Sequence, residues 1–210
     1  MTELLETTFR SLYISGTATL LAGSWSIPLA YMLSSRPGLR PVSHVFESLV
    51  GVPTVLIGLF LYLLLSRQGP LGFLNLLYTP QAIIIGEAIL VTPLLVGISY
   101  RVLSYSVNTY GELALSLGAT ERQAMGIAVS QALPGLIGAL VMGFSRAIGE
   151  LGVALLVGGN IKGYTRTITT TIALEVSQGE LFDAVQLGVV LVSIMVVTSL
   201  TLRLVRGVSE

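Results

Sequence analysis

The chain contains no cysteine, one histidine (His44) and one aspartate (Asp183). The absence of thiols excludes a disulfide framework and a thiolate metal site, and a single histidine does not make a metal site. The segment GFSRA, residues 143–147, partly matches a hydrolase nucleophile elbow, but it lies in an apolar run with no histidine near it in sequence. An intramembrane enzyme is therefore disfavoured, and we expect no catalytic residue and no metal in this chain.

Charged residues are also scarce. They make up 10% of the 210 residues, whereas an ordinary soluble domain has about 25%. Hydrophobic residues make up 53%, and the mean hydropathy is +0.85. The net charge is zero, so nothing indicates a nucleic-acid partner. This composition predicts an integral membrane protein.

Five apolar runs are long enough to cross a bilayer, for which a helix needs about 20 residues. They cover residues 11–34, 45–65, 82–100, 132–157 and 184–202. Because the runs are continuous rather than alternating, they predict helices and not barrel strands. We expect an all-α protein with about five transmembrane helices and one domain over residues 1–210. The acidic start MTELLETTFR lacks the basic region of a secretory signal, so the first run should remain in the mature protein.

The positive-inside rule favours a periplasmic or external N-terminus and a cytoplasmic C-terminus. With that orientation the inner connections and C-terminus carry six lysines and arginines, and the outer segments carry four. The polar segment 111–131, between the third and fourth runs, is then cytoplasmic. The connection 158–183, which begins with a Gly-Gly-Asn turn, is then outside.

The fourth run contains two opposite charges, Arg146 and Glu150, which share one face of a helix because they are four residues apart. One interpretation is a structural salt bridge, in which case exchanging the two charges should preserve folding. The other is a cationic site on a pathway for an oxyanion, since arginine suits such anions. Glu87 in the third run fits a structural acid better than a proton carrier.

Small residues recur along the fourth run. At spacing four they are Gly135, Ala139, Gly143 and Ala147, and Gly149 and Gly152 continue the series. Such a stripe lets two helices approach closely. It is compatible with contact between two copies of the chain and with packing inside one copy.

The polar segment 111–131 predicts a helix, a small-residue turn and a second helix. Ala114 and Gly118 give the first helix a small face, and Thr120 is a suitable N-cap for the second. We expect Pro134 in the first turn of the fourth span, where proline is tolerated. This shape is compatible with docking into a cleft of a soluble partner and with a plain amphipathic connector.

Two motifs carry a resemblance to a known family. ELALSLGA, residues 112–119, resembles the E-A-A-x-x-x-G motif of ABC importer permeases. SRAIGELGVALLVGGNI, residues 145–161, followed by YTRTITTTIALE, is similar to the molybdate and tungstate importer permeases, with the tungstate branch as the better fit. The resemblance covers most of the chain.

The resemblance implies a type I ABC importer fold like that of the molybdate and methionine permeases, with two copies forming the pore in a prokaryotic plasma (inner) membrane. It also implies two partner ATPases, which bind ATP and Mg²⁺ and dock on segment 112–126. An extracytoplasmic binding protein would deliver the oxyanion. The implied docking residues are Glu112, Ala114, Gly118, Ala119, Glu121 and Arg122; the implied outer-mouth residues are Gly158, Gly159, Asn160, Thr165 and Arg166.

The chain itself is then a transport subunit and not an enzyme, and it has no G-x-x-x-x-G-K-[ST] loop of its own for ATP. Tungstate is the favoured cargo, and molybdate or sulfate is the alternative. A different class, a small ion-coupled transporter that uses Glu87 or the Arg146–Glu150 pair, would leave segment 111–131 unexplained. It would often show two related halves, and the sequence has no internal repeat.

Overall fold

The structure, a computed structural model, describes the backbone of residues 2–207 and the side chains of residues 3–36, 38–39 and 41–200. The α-helices are α1 (Thr2–Ser35), α2 (Arg40–Leu49), α3 (Thr54–Leu65), α4 (Pro80–Ser106), α5 (Glu112–Ser116), α6 (Glu121–Ile148), α7 (Gly152–Gly158), α8 (Ile168–Gln178) and α9 (Leu181–Gly207). A π-helical turn, Val107–Gly111, joins α4 to α5. The described residues contain no strand, so the expected all-α class is confirmed.

Within the described residues, three helices are long and apolar enough to cross a membrane: Pro80–Ser116, Glu121–Ile148 and Leu181–Leu200. The pair Pro41–Leu49 and Thr54–Leu65 makes a fourth if the two helices count as one span. α1 is long enough, with 34 residues, but its many serines and threonines make it less apolar than these spans. That α1 crosses the membrane as a fifth span therefore remains a prediction.

The second predicted span is two helices that meet at 92° rather than one helix. α2 ends at Leu49, and α3 begins at Thr54, directly after Pro53. A proline lacks the backbone N–H of a helix interior and pushes the preceding residue, Val52, away from helical geometry. The sequence VGVPT therefore bends the chain where hydropathy alone shows a continuous run.

The fourth predicted span also differs. α6 begins at Glu121, well before the apolar run, and ends at Ile148, and α7 starts only at Gly152. Pro134 lies inside α6, so its expected place in a first turn is wrong. The 28 residues of α6 span about 42 Å, since each adds about 1.5 Å. α6 is thus one continuous helix from the polar segment to the break at residues 149–151.

Threonine N-caps fix the starts of three helices. They are Thr79 before α4, Thr120 before α6 and Thr167 before α8. Thr120 and Gln123 form a capping box, in which each side chain is hydrogen-bonded to the backbone N–H of the other residue. These caps satisfy N–H groups that the first turn of a helix leaves without a partner.

The core lies where α1 packs along α4 and α6. The small-residue stripe of α6 is used in this core. A Cβ added to Gly143 would lie 2.8 Å from Leu95 in α4, and one added to Gly135 would lie 2.6 Å from Val102. Ala139 and Ala147 are fully buried. The stripe therefore serves packing inside one chain.

The two glycines beyond the stripe contact other helices. A Cβ on Gly149 would lie 3.1 Å from Met195 in α9, and one on Gly152 would lie 3.0 Å from the Thr54 hydroxyl in α3. α9 itself has several valines that point outward, among them Val185, Val189 and Val197. This apolar surface is open to lipid or to another copy of the chain.

Candidate functional site

The break between α6 and α7 is built around Glu150. Arg146 Nη1 donates a hydrogen bond to Glu150 Oε2 over 2.8 Å. The other carboxylate oxygen accepts the backbone N–H of Val153 in the first turn of α7, over 3.2 Å. The Thr169 hydroxyl of α8 donates to the Glu150 carbonyl over 2.7 Å. Glu150 therefore fastens α6, α7 and α8 together at one point.

The two members of this pair have different surroundings. The Glu150 side chain is 3% exposed, whereas the Arg146 side chain is 40% exposed. An arginine at position 150 would be buried beside backbone N–H donors, where it has no acceptor and where a helix start disfavours positive charge. Exchanging the two charges is therefore not expected to preserve folding, contrary to the expectation from spacing alone.

Glu87 lies at the same level of the helix bundle. Its side chain is buried in α4, is contacted by the Ser15 side chain of α1, and interacts electrostatically with Glu150 and Arg146. Glu87 Oε2 has no hydrogen-bond partner within the described part of the chain. We call Ser15, Glu87, Arg146 and Glu150 the polar cluster.

No sequence pattern linked Glu87 to the Arg146–Glu150 pair, and none pointed to Ser15. The Arg146 side chain makes no hydrogen bond in the described residues other than the one to Glu150, so other donors of its partly exposed guanidinium are free for an anion. The described residues contain no group of three histidine, aspartate or glutamate side chains that could hold a metal ion.

At the other end of α4 and α6 lies a sharp turn, residues 112–123, which we call the α5–α6 turn. Gly118 has a φ of +87°, its N–H donates to the Leu115 carbonyl, and the next N–H, of Ala119, donates to Ala114. This is the Schellman arrangement that ends a helix with a left-handed glycine. A Cβ on Gly118 would meet nothing within 4 Å, so this face of the turn is open.

Most of the predicted docking residues lie on the surface of the α5–α6 turn. Glu112, Glu121 and Arg122 are exposed, whereas Ala114 is buried and Ala119 is half-buried. Leu117, between them, is 80% exposed. The turn thus presents charged groups around a prominent apolar side chain, a surface suited to a protein partner.

The α5–α6 turn is rigidly connected to the bundle. α4, the π-helical turn and α5 form one run from Pro80 to Ser116, and α6 leaves the turn on the other side. The Ser106 hydroxyl of α4 donates to the Ala128 carbonyl of α6 over 2.6 Å. The α5–α6 turn is therefore continuous with the two helices that carry Glu87 and Arg146.

The predicted outer-mouth residues lie in residues 158–167, which we call the 158–167 loop. Thr165 is fully buried, and its hydroxyl donates to the Gly158 carbonyl and accepts the N–H of Ile161. Arg166 Nε donates to Asn160 Oδ1 over 3.2 Å. Gly159 adopts a φ of +69° at the end of α7. These residues hold the loop in one shape.

The 158–167 loop is fastened to α1. Lys162 Nζ lies 2.8 Å from Glu3 Oε2, and the hydrogen bond between them lowers the pKa of Glu3. Arg10 donates to the Arg166 carbonyl over 3.0 Å. These α1 residues could not be found from the sequence, since contacts between positions 150 or more residues apart leave no local pattern.

The predicted residues thus fall into three groups and not one site. Gly158 packs against Ile83 near the start of α4, whereas the α5–α6 turn lies beyond the end of α4. The 158–167 loop and the α5–α6 turn are therefore at opposite ends of the bundle, and the polar cluster lies between them.

Comparison with known proteins gives one family match. The family model described as "Binding-protein-dependent transport system inner membrane component" matches residues 19–210.

Several curated proteins are similar to this chain over most of its length. It is 43% identical over 188 residues to the tungstate uptake system permease protein of Peptoclostridium acidaminophilum, covering 89% of this chain and 82% of that protein. It is 34% identical over 202 residues to a probable anion ABC transporter permease protein of Haloferax volcanii, covering 93% and 87%. It is 28% identical over 206 residues to the molybdenum transport system permease protein of Azotobacter vinelandii, covering 90% and 89%.

Proposed function

The chain belongs to the family of inner-membrane components of binding-protein-dependent transport systems, and on that basis we propose that it is the membrane subunit of an ATP-driven tungstate importer. Membership confirms the resemblance read from the two sequence motifs. It makes the chain an integral inner-membrane transport component, not an enzyme, that works with an ATPase and a binding protein. The tungstate relative is more similar than the molybdenum relative, which supports tungstate as the cargo.

The observation that carries the mechanism is the continuity of α4–α5 and α6 between the α5–α6 turn and the polar cluster. A partner ATPase docks on the turn, in contact with Glu112, Leu117, Glu121 and Arg122 around the open face of Gly118. ATP and Mg²⁺ are bound by that partner. When ATP binding moves the ATPase, the turn moves, and α4 and α6 shift relative to each other at the level of Glu87 and Arg146.

The anion passes the polar cluster during this movement. Arg146 is the partly exposed cation of the cluster, and its free donors suit the oxygens of a tetrahedral dianion. Glu150 holds the guanidinium in place and offsets part of the cost of a charge inside the membrane. Two copies of the chain together form the pore, with the outward apolar surface of α9 available for lipid or the second copy.

The N-terminus lies outside the cell and the C-terminus lies in the cytoplasm. The excess of basic residues in the inner connections supports this orientation. It places the α5–α6 turn at the cytoplasmic face, where ATP is found, and the 158–167 loop on the side of the binding protein. Because the chain has no cysteine, single cysteines at Leu117 and Lys162 can test it with a membrane-impermeant thiol reagent. External labelling at 117 and not at 162 would reverse the orientation.

The cargo is tested by ATP hydrolysis of the reconstituted complex of this chain, its partner ATPase and its binding protein. Tungstate, molybdate and sulfate are titrated separately, and the concentration that gives half-maximal stimulation is measured for each. We expect tungstate to act at the lowest concentration. Stimulation by molybdate or sulfate at lower concentrations would assign a different cargo, and no stimulation by any of the three would reject the oxyanion importer.

A further inference from the structure

The end of the bundle that carries the 158–167 loop has a second feature, a recess between the C-terminal end of α3 and the segment that leads to α4. Six of its lining residues have polar side chains: Tyr62, Ser66, Arg67, Gln68, Asn75 and Tyr78. None of the lining residues is acidic. We call this the outer recess. Hydroxyl, amide and guanidinium groups can all donate hydrogen bonds, so the lining suits a ligand that is rich in acceptors.

Arg67 is the unusual residue of the outer recess. The other basic side chains described at this end are all engaged: Lys162 pairs with Glu3, Arg166 is bonded to Asn160, and Arg10 donates to the Arg166 carbonyl. Arg67 is exposed, and the described residues provide it with no hydrogen bond and no ion pair. Its charge is therefore unneutralised inside a recess that contains no carboxylate.

The wall of the recess is held in a strained conformation. Tyr78 has a φ of +64°, which is uncommon for a bulky residue, and its N–H donates to the Val157 carbonyl over 2.8 Å. Its ring fills the space beside Gly159, where a Cβ would lie 2.7 Å from it, and its centroid is 6.5 Å from that of Tyr62. Asn75 also has a positive φ, of +50°. Strain of this kind persists where the surrounding structure holds it, often at binding sites.

We propose that the outer recess is a binding subsite for a tetrahedral oxyanion, with Arg67 as its charged ligand. The subsite receives the anion at the end of the bundle opposite the α5–α6 turn, before the anion reaches Arg146. This inference rests on the proposed function. A metal cation does not fit, since the lining offers no carboxylate.

The recess also touches the 158–167 loop through Tyr78, which is bonded to Val157 and packed on Gly159. Tyr78 thus connects the outer recess to the start of the loop that Lys162 fastens to α1. Tetrahedral anions have acceptors pointing in several directions, so a site with one cation and several neutral donors can bind them without further charges.

The test uses the absence of native cysteine in this chain. A Gln68→Cys variant is assembled with the partner ATPase in proteoliposomes, and the rate of maleimide labelling at position 68 is measured against tungstate concentration. Phe73→Cys, which is 74% exposed and is not part of the lining, is the matched control. Arg67→Gln is then added to each of the two cysteine variants. Its control is Arg36→Gln, which replaces an exposed arginine outside the recess.

Tungstate should slow labelling at position 68 and leave labelling at position 73 unchanged. Arg67→Gln should raise the half-protecting concentration about tenfold or more, because hydrogen bonds from a charged group are among the stronger ones. Arg36→Gln should not change the half-protecting concentration. With Arg67→Lys this concentration should lie between those of the unsubstituted arginine and of Arg67→Gln. Absence of protection, or equal protection with Arg67→Gln, would overturn the proposal.

A protein-docking role for Arg67 has a different signature. In that case the binding protein without tungstate protects position 68 and tungstate alone does not, and the anion subsite is rejected. The proposed function is judged separately, by the stimulation of ATP hydrolysis in the unsubstituted complex. Stimulation of ATP hydrolysis without protection at position 68 would support the importer and reject the subsite.

Discussion

Replacing Arg146 with glutamine removes the cation that is hydrogen-bonded to the buried Glu150 carboxylate. Breaking a buried ion pair from one side typically costs about 3–5 kcal/mol. The low end applies here, since Arg146 is 40% exposed and Glu150 keeps the N–H of Val153. We therefore expect Arg146→Gln to lower the free energy of unfolding by about 3 kcal/mol.

The opposite change should cost less. Glu150→Gln leaves an arginine that is partly exposed and can reach water, and the new amide oxygen can still accept the N–H of Val153. We expect a loss of about 1 kcal/mol, the size of one ordinary hydrogen bond. The double variant has no charge left unpaired and should resemble Glu150→Gln. Chemical denaturation in detergent micelles measures all three.

The double variant also separates the two roles of Arg146. It is folded but has no cation in the polar cluster. If Arg146 lies on the anion pathway, ATP-driven tungstate uptake is lost in the double variant although the protein is stable. Uptake at the unsubstituted rate would remove Arg146 from the pathway. Equal destabilisation by Arg146→Gln and Glu150→Gln would refute the argument from burial.

Three further predictions concern other parts of the chain. The Gly118→Trp variant should insert normally but fail to co-purify with the partner ATPase. Gly118→Ala, whose Cβ meets no atom within 4 Å, should retain ATPase binding at a backbone strain of about 1 kcal/mol. Normal ATPase binding by the tryptophan variant would reject docking at this turn. Glu87→Gln should not lower the melting temperature, because Glu87 Oε2 has no hydrogen-bond partner in the described residues and an amide has nearly the same shape; a large loss of stability would show that the carboxyl group is needed. The pKa of Glu3 is lowered by Lys162, so their contact is fully present above the ordinary value of 4.5 and is lost as pH falls through the lowered pKa. Glu3→Gln should accordingly lower the melting temperature at neutral pH but not in strong acid, and an equal effect at both would contradict the assignment.

The α5–α6 turn could be predicted well from the sequence. Gly118 and Thr120 are local signals for the end of one helix and the start of the next, and both act within a few residues. The contact between Arg146 and Glu150 was also expected from their spacing of four, but the expected shared helix face is wrong, because α6 ends at Ile148 and Glu150 lies beyond it. Hydropathy likewise indicated the helices that are apolar throughout.

The breaks inside the apolar runs were not predicted. Hydropathy alone does not show these breaks, yet α2 ends at Leu49, shortly before Pro53, and α6 ends at Ile148, shortly before Glu150. The convergence of Glu87 with Ser15, and the fastening of the 158–167 loop to Glu3, depend on how distant helices pack. A single sequence has no local pattern for such contacts.

The measurement that tests the central claim most directly is tungstate accumulation in sealed proteoliposomes that contain this chain, its partner ATPase and its binding protein. We expect accumulation that requires ATP and is abolished by Gly118→Trp. Accumulation without ATP, driven by a proton gradient and abolished instead by Glu87→Gln, would contradict it and would make the chain an ion-coupled transporter.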